Sequence, residues 1–449
     1  MSELKPFTIT LSVNITLCIK SMTHCHWLDA YTNPINIKME SMMKHESKKI
    51  GRWQGAGLMA TTLLGTGVFI LPQMTLSIAG EGAIFAWFLL TLAIIPVTLV
   101  FAKLSAKLPH NAGPAYFVEQ AFGPIAGRTI GLIFLFVVPL GAPAAILMTF
   151  QFVGSLIELN GLILLLTELS VLLLLFILNY RGIQISAKLQ FMLTLAIVSV
   201  VVILFGLSQS NTSMVLARDL PKTDINLIMA AAGLAFWSFL GVEAMSHLAN
   251  DFENPKKDLI PAMMIGTILV GLIYLACTHI IIEVPTSTDL AMVGIFNNLL
   301  GDIFGNIGAQ VIGILGIAGG LATVNVYTAS VARLVCSFSN DGVLPSYFSK
   351  LNAHQVPARA LSGVLVIMGF VLTTVFVTNQ DIEELISLVN GVFVVIYLAS
   401  MLAAFKLLNK KYIPLIILGS LFCLVLAWGL GWQMIYAAVL ITITVPFLW

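Results

Sequence analysis

Long apolar stretches recur along nearly the whole chain, and they constrain its fold more than any other feature. A helix needs about 20 predominantly apolar residues to cross a bilayer core. Lipid offers no partners to backbone N–H and C=O groups, so each stretch must satisfy its own as a helix. By that measure the 449-residue chain divides into twelve candidate spans. The first six are Gln54–Ile78, Ala83–Leu104, Ile125–Leu156, Leu162–Leu178, Leu189–Leu207 and Leu227–Leu248. The second six are Ile260–Ile282, Ile303–Phe338, Leu361–Thr378, Ile382–Leu407, Ile413–Trp428 and Gly431–Leu448. Only 10 % of residues are charged, against 59 % hydrophobic; an ordinary soluble domain carries about 25 % charged residues. A soluble enzyme is excluded, and so is a disordered chain, which requires low hydrophobicity. With 22 basic and 21 acidic residues, there is no global basic field to recruit nucleic acid. The expected fold class is an all-α membrane protein, with the lipid bilayer as its surroundings.

Charge placement tests the span map independently. With the N-terminus in the cytoplasm and spans alternating, 20 of the 22 Lys and Arg residues fall inside, and only Arg218 and Lys222 fall outside. This is the bias of the positive-inside rule, and one missed span would scramble it. The outer loops carry acids instead, among them Glu81, Glu158, Asp289, Asp381 and Glu383. An even number of spans returns both termini to the cytoplasm. Residues 1–42 are read as a disordered tail or as translated sequence upstream of a natural start at Met43. Residues 43–407 form the expected ten-helix core, and 408–449 two further spans. None of the five cysteines forms a CxxC pair, and buried free cysteines behave as small hydrophobes. His24-Cys25-His26 has no further ligand cluster nearby, so no metal site is expected.

Two spans carry interruptions. The first contains Gly65-Thr66-Gly67-Val68-Phe69, with Pro72 close behind, a composition that weakens a helix interior. A broken helix in lipid is tolerated where it lines a protein-enclosed cavity. There its freed amides and the following helix N-terminus favour an anion. One reading is a carboxylate site at the backbone of Thr66, Gly67 and Val68; the other is close helix packing by small residues. The sixth span carries Phe236-Trp237-Ser238-Phe239-Leu240-Gly241-Val242-Glu243. An ionisable side chain at mid-membrane costs about 2.5–3.5 kcal/mol on insertion scales, so it faces a partner or a cavity. Glu243 is therefore a candidate for gating or for carrying a proton, the alternative being a structural hydrogen bond to a neighbouring helix. Paired breaks in corresponding positions of two halves point to a transporter site at the bilayer midplane. Their separation by five spans suggests two inverted five-helix repeats.

These stretches resemble the amino acid–polyamine–organocation transporters. The resemblance spans about residues 50 to 449. It rests on the two breaks, on Asn254-Pro255-Lys256 with Pro261, on Gly113-Pro114-Ala115-Tyr116, and on Asp341-Gly342-Val343-Leu344-Pro345. Within that family the chain resembles bacterial inner-membrane exporters of L-methionine and branched-chain amino acids, through Ser246-His247-Leu248-Ala249, Val324-Asn325-Val326-Tyr327 and Asn390-Gly391-Val392-Phe393. The resemblance implies that Thr66 and Gly67 bind a substrate carboxylate. It implies that carbonyls near Leu63, Trp237 and Leu240 receive the ammonium group, that Trp237 covers and gates the substrate, and that Glu243 couples or gates. The chain departs from the family pattern at Asn111-Ala112-Gly113-Pro114, so no role passes to Tyr116.

Glu168 and Arg128 read as helix-end or packing residues. His279 reads as a histidine bonding across helices rather than relaying protons, and Asn325 either contacts substrate or joins helices. No Ser-His-Asp set, HExxH motif or P-loop appears, so neither enzymatic chemistry nor a cofactor is expected. The expectation is a secondary transporter exporting neutral hydrophobic L-amino acids across a bacterial inner membrane by alternating access. An importer or exchanger of amines or other amino acids on the same fold is the alternative, and a non-transporting sensor or partner subunit is a third reading.

Overall fold

A computed structural model describes residues 50–110, 112–181, 187–210, 224–284 and 286–448. Residues 1–42 with the His24–His26 cluster, Asn111, and the two outer basic residues Arg218 and Lys222 lie outside the described residues. Among the described residues the structure is helical, with a single isolated bridge between Ile50 and Phe252.

The first expected span is two helices, α1 (Arg52–Leu64) and α2 (Leu71–Ala79). Then come α3 (Ala83–Lys107), a short α4 (Pro114–Phe122), α5 (Pro124–Gly154), α6 (Gly161–Tyr180) and α7 (Ala187–Ser210). The sixth expected span also splits, into α8 (Ile225–Ala235) and α9 (Val242–His247). The remainder is α10 (Ile260–Glu283), α11 (Ala291–Phe304), α12 (Gly308–Asn340), α13 (Ala358–Thr378), α14 (Ile382–Leu407), α15 (Ile413–Leu430) and α16 (Ile435–Leu448).

Among the described residues, ten segments are long and apolar enough to cross a membrane. The number differs from twelve because Leu71–Lys107 and Lys410–Val445 each run two elements together across a short 3-10 turn, and α1 is only 13 residues long. Two boundaries need correction. The span expected from Ile303 begins instead at Gly308, because Gly305 adopts φ 71° and ends the preceding amphipathic helix α11. The second break, expected to reach Glu243, closes at Gly241, so Glu243 sits in the first turn of α9.

Two packed groups of helices emerge. In one, α10 packs on both α1 and α3, and α2 packs on α8. Trp87 of α3 locks this group: its indole N–H donates to Thr75 Oγ1 of α2 at 2.9 Å, and its ring stacks on Tyr274 of α10 at 4.3 Å. In the other, α5 packs on α12, and α13 packs on α6 and α12. Gly316 and Gly320 of α12 let it approach closely, since a Cβ at either would stand 2.5 Å from the Phe152 ring or 2.1 Å from Thr149 Oγ1 of α5. Small residues allow such backbone approach between helices in lipid. Asn179 of α6 donates to Asn325 Oδ1 of α12 at 2.6 Å, so Asn325 joins helices. His279 of α10 pairs with Gln209 of α7 at 2.8 Å, again across helices. α14 lies against α5 and α15. The exterior is apolar: Trp428, Phe370 and Val366 are exposed, as suits a surface facing acyl chains.

Candidate binding site

Both interruptions lie where the two groups meet. The first is a tight turn closed by its own backbone. Gly67 N–H and Val68 N–H both donate to Leu64 O, at 3.0 and 3.1 Å, and Ile70 and Leu71 donate to Gly67 O. Of the three amides proposed for a carboxylate, those of Gly67 and Val68 are thus engaged, and no backbone bond of the turn takes up the Thr66 N–H. α12 presses on this turn: a Cβ on Gly319 would stand 2.7 Å from Gly65 O. Pro72 follows at the start of α2, where its missing N–H costs nothing.

The second interruption is looser. Phe236–Phe239 forms a 3-10 turn, Leu240 is extended, and Gly241 has φ 129° before α9 begins. An L side chain rarely adopts that φ, and a Cβ there would also meet Thr62 Cγ2 at 2.8 Å. Glu243, fully buried, holds this segment from behind. Its Oε2 accepts the Gly241 N–H at 3.0 Å and the Tyr397 hydroxyl at 2.5 Å, and its Oε1 accepts the Tyr327 hydroxyl at 2.9 Å. Tyr397 also lies 3.1 Å from Phe239 O, inside the break. Hydrogen bonds to a charged group contribute about 1.5–3 kcal/mol each, so a buried carboxyl with three donors is anchored firmly.

The two breaks touch. Trp237 donates its indole N–H to Thr66 Oγ1 at 3.3 Å, and the far edge of its ring faces Gly141 of α5, where a Cβ would stand 3.9 Å away. Between them is a cavity of about 50 Å³, by a measure on which one water needs roughly 10–15 Å³. Leu63, Thr66, Trp237 and Leu240 line it, and the facing wall includes Ala142 and Phe393. Gly67 and Val68 are absent from the lining; the Gly67 position faces Leu71 and Tyr274 instead. Glu243 is also set back, and reaches the cavity through Tyr327, which lines it. Among the described residues, no Asp, Glu, Lys, Arg or His lines this cavity. Tyr274 Oη stands 3.5 Å from Leu63 O, one of the carbonyls expected to receive an ammonium group.

Sequence reasoning missed the roles of Tyr327 and Tyr397. A signal existed: a buried tyrosine hydroxyl needs a partner, and Glu243 was the acceptor on offer in the neighbouring span.

The profile of the amino acid permease family matches residues 50–449. The chain belongs to that family. It is 32 % identical over 395 residues to the L-methionine/branched-chain amino acid exporter of Escherichia coli (strain K12), covering 88 % of this chain and 94 % of that one. It is 26 % identical over 402 residues to an uncharacterized amino acid permease of Bacillus subtilis (strain 168), covering 89 % and 95 %. A cadaverine/lysine antiporter of Escherichia coli (strain K12) is 23 % identical over 410 residues, covering 85 % and 90 %. Membership agrees with the resemblance of the two breaks, and with the apolar segments it makes the chain a multi-pass membrane protein.

Proposed function

We propose that this permease exports neutral hydrophobic L-amino acids, namely methionine, leucine, isoleucine and valine, across a bacterial inner membrane. The observation that carries the reading is the central cavity: both breaks line it, its remaining wall is largely apolar, and no charged side chain reaches it. A zwitterion brings one charge of each sign, which helix-break amides and carbonyls can meet; a diamine would need a counter-charge that this cavity does not carry. The exporter relative supports the outward direction. The carboxylate would sit by Thr66, whose amide, alone of the three expected at Thr66, Gly67 and Val68, takes part in no backbone bond of the turn, and the ammonium by the carbonyls near Leu63 and Leu240. Trp237 covers the cavity.

The proposed topology has twelve crossings with both termini cytoplasmic. At 1.5 Å per residue, the 37 residues of Leu71–Lys107 would extend about 55 Å if straight. That exceeds a core of about 30 Å, so α2 closes one crossing and α3 makes the next. The group containing α1, α2, α8 and α9 rocks against the group containing α5 and α12 to alternate access. Glu243 gates the motion or couples it to a proton gradient, and no cofactor takes part. Exchange of other amino acids or amines on the same scaffold is the second reading, favoured by the cadaverine/lysine antiporter relative.

Purified protein in liposomes loaded with unlabelled L-leucine tests this. Rapid accumulation of labelled leucine and methionine, with none of lysine or cadaverine, is expected. Lysine or cadaverine exchange without leucine exchange would overturn the substrate class. Deletion in the native cell should lower release of methionine and leucine after feeding with peptides containing them; reduced uptake with unchanged release would overturn the direction.

A further inference from the structure

A second chamber opens beside the central cavity, and its wall holds a carboxyl group that no other described residue partners. Glu168 lies on the buried face of α6 with Leu165, Leu172 and Asn179. The residue is only 3 % exposed. No other described residue gives it a hydrogen bond or an ion pair. Its side chain lines a chamber of about 330 Å³, together with Gln151 and Ser155 of α5 and with Asp289.

This chamber runs into a smaller one of about 130 Å³, sharing Gln151, Asp289, Leu290 and Ile382 with it. Three elements line both the central cavity and this path. α5 contributes Ala145 to the cavity and Met148 to the path, the chain at the first break contributes Thr66 and then Ile70, and α14 contributes Val389 and Ile382. Three residues of helix advance about 4.5 Å, so the two spaces are neighbours. Gln73 of α2 fixes the wall of the smaller chamber, donating to Asp289 O at 2.7 Å and accepting from Ala291 N–H at 2.8 Å.

A carboxyl buried at span depth costs free energy unless something meets it. Among the described residues Glu243 has three donors and Glu168 none. Ionisable side chains in the chamber wall are acidic only, Glu168 and Asp289. The rest of the wall is mainly aliphatic or aromatic, as at Leu147, Phe150, Leu159 and Leu164. A bare metal ion would find few oxygen ligands and much apolar surface. An aliphatic primary ammonium would find both a counter-charge, in a charge-assisted hydrogen bond, and an apolar wall for its chain.

We infer that this chamber is a binding subsite for the ammonium end of an aliphatic amine or amino acid, with Glu168 as its counter-charge. In the transport cycle it holds cargo between bulk water and the central cavity, and in that respect the inference rests on the transport reading.

Calorimetry on the full-length protein with 3-methylbutylamine, which keeps the ammonium and the aliphatic chain and lacks the carboxylate, tests the site. The wild type should bind it. Glu168→Gln should weaken binding at least tenfold, Glu168→Asp less, and in liposomes Glu168→Gln should raise the KM for leucine severalfold while changing kcat little. Leu164→Trp, which fills the chamber, should mimic Glu168→Gln if that variant fails to fold. Equal amine binding in the wild type and both Glu168→Gln and Leu164→Trp would overturn the inference. So would displacement of the amine by equimolar sodium or potassium, which would mean an inorganic cation site. Wild-type leucine exchange with amine binding indifferent to these variants sinks the subsite and leaves the transport reading; amine binding lost in Glu168→Gln with no wild-type exchange sinks transport and leaves the subsite.

Discussion

The two helix breaks do the same geometric job by different means. At Gly65–Ile70 the chain turns on its own backbone, with Leu64 O and Gly67 O accepting the amides that a broken helix frees. At Phe236–Gly241 the chain opens further, and a side chain from beyond the break ties it down: Glu243, with Tyr327 and Tyr397 behind it. The first break can be altered only by packing. The second can be altered by chemistry, because moving one proton on or off Glu243 changes which of its neighbours donate. Tyr397 has one proton and two acceptors, Glu243 Oε2 and Phe239 O. If Glu243 carries a proton of its own, it can donate to Tyr397 and free that tyrosine to bond Phe239. On the proposed function both breaks face the cargo, and the second is the one that a proton can alter.

The largest effect should come from Gly241→Val. It forces a β-branched residue to φ 129° and against Thr62; backbone strain of that kind costs about 1–3 kcal/mol. Leucine exchange should fall more than tenfold with insertion preserved, and normal exchange would mean that the second break relaxes without its glycine. Next is Glu243→Gln, which keeps the shape and removes the titratable proton. A roughly tenfold loss is expected, together with a flattened rate profile between pH 5.5 and 8; a profile parallel to the wild type would make Glu243 structural. Single hydroxyl deletions sharpen the point. Tyr397→Phe should cost more than Tyr327→Phe, because it removes a donor to both Glu243 and the break carbonyl, whereas Tyr327→Phe removes only one contact. The reverse order in leucine exchange would place the control at the cavity wall. The smallest effect belongs to the first break: in Gly67→Ala the new Cβ meets the flexible end of Leu71 at 2.5 Å and Tyr274 Oη at 2.8 Å. A two- to fivefold loss through packing is expected, on the order of 0.5–1 kcal/mol. Complete loss with intact folding would instead point to a direct cargo contact at Gly67.

Both breaks were legible in the sequence because their causes are local. Two glycines around a threonine, and a glycine after an aromatic run, disfavour a helix wherever they stand. The spanning helices were legible because about 20 apolar residues have few other fates. What escaped was short or non-local. α4 and α11 have 9 and 14 residues, below the length at which an apolar run announces itself. The helix ends at Gly113, Gly123 and Gly305 depend on positive φ values, which a glycine permits without requiring. The cavity wall on α5, and the meeting of Glu243 with Tyr327 and Tyr397, depend on helices far apart in the chain. Residue type showed that Glu243 and the tyrosines needed partners; only the packing of α9, α12 and α14 showed which. Glu168 is the converse case: on sequence it reads as a packing residue, and its buried face on α6 agrees, yet its carboxylate opens onto a chamber.

Substrate protection of a single cysteine tests most directly that cargo occupies the cavity between the breaks. Cys277, Cys336 and Cys423 are buried, and a cysteine-free background removes any contribution from these and from Cys18 and Cys25. In that background Ala142→Cys lines the cavity, and His354→Cys, exposed in the loop between α12 and α13, serves as control. Leucine should slow maleimide labelling at 142 with half-effect near its KM for exchange, while labelling of the control cysteine stays unchanged. Undiminished labelling at 142 in protein that still exchanges leucine would contradict the account.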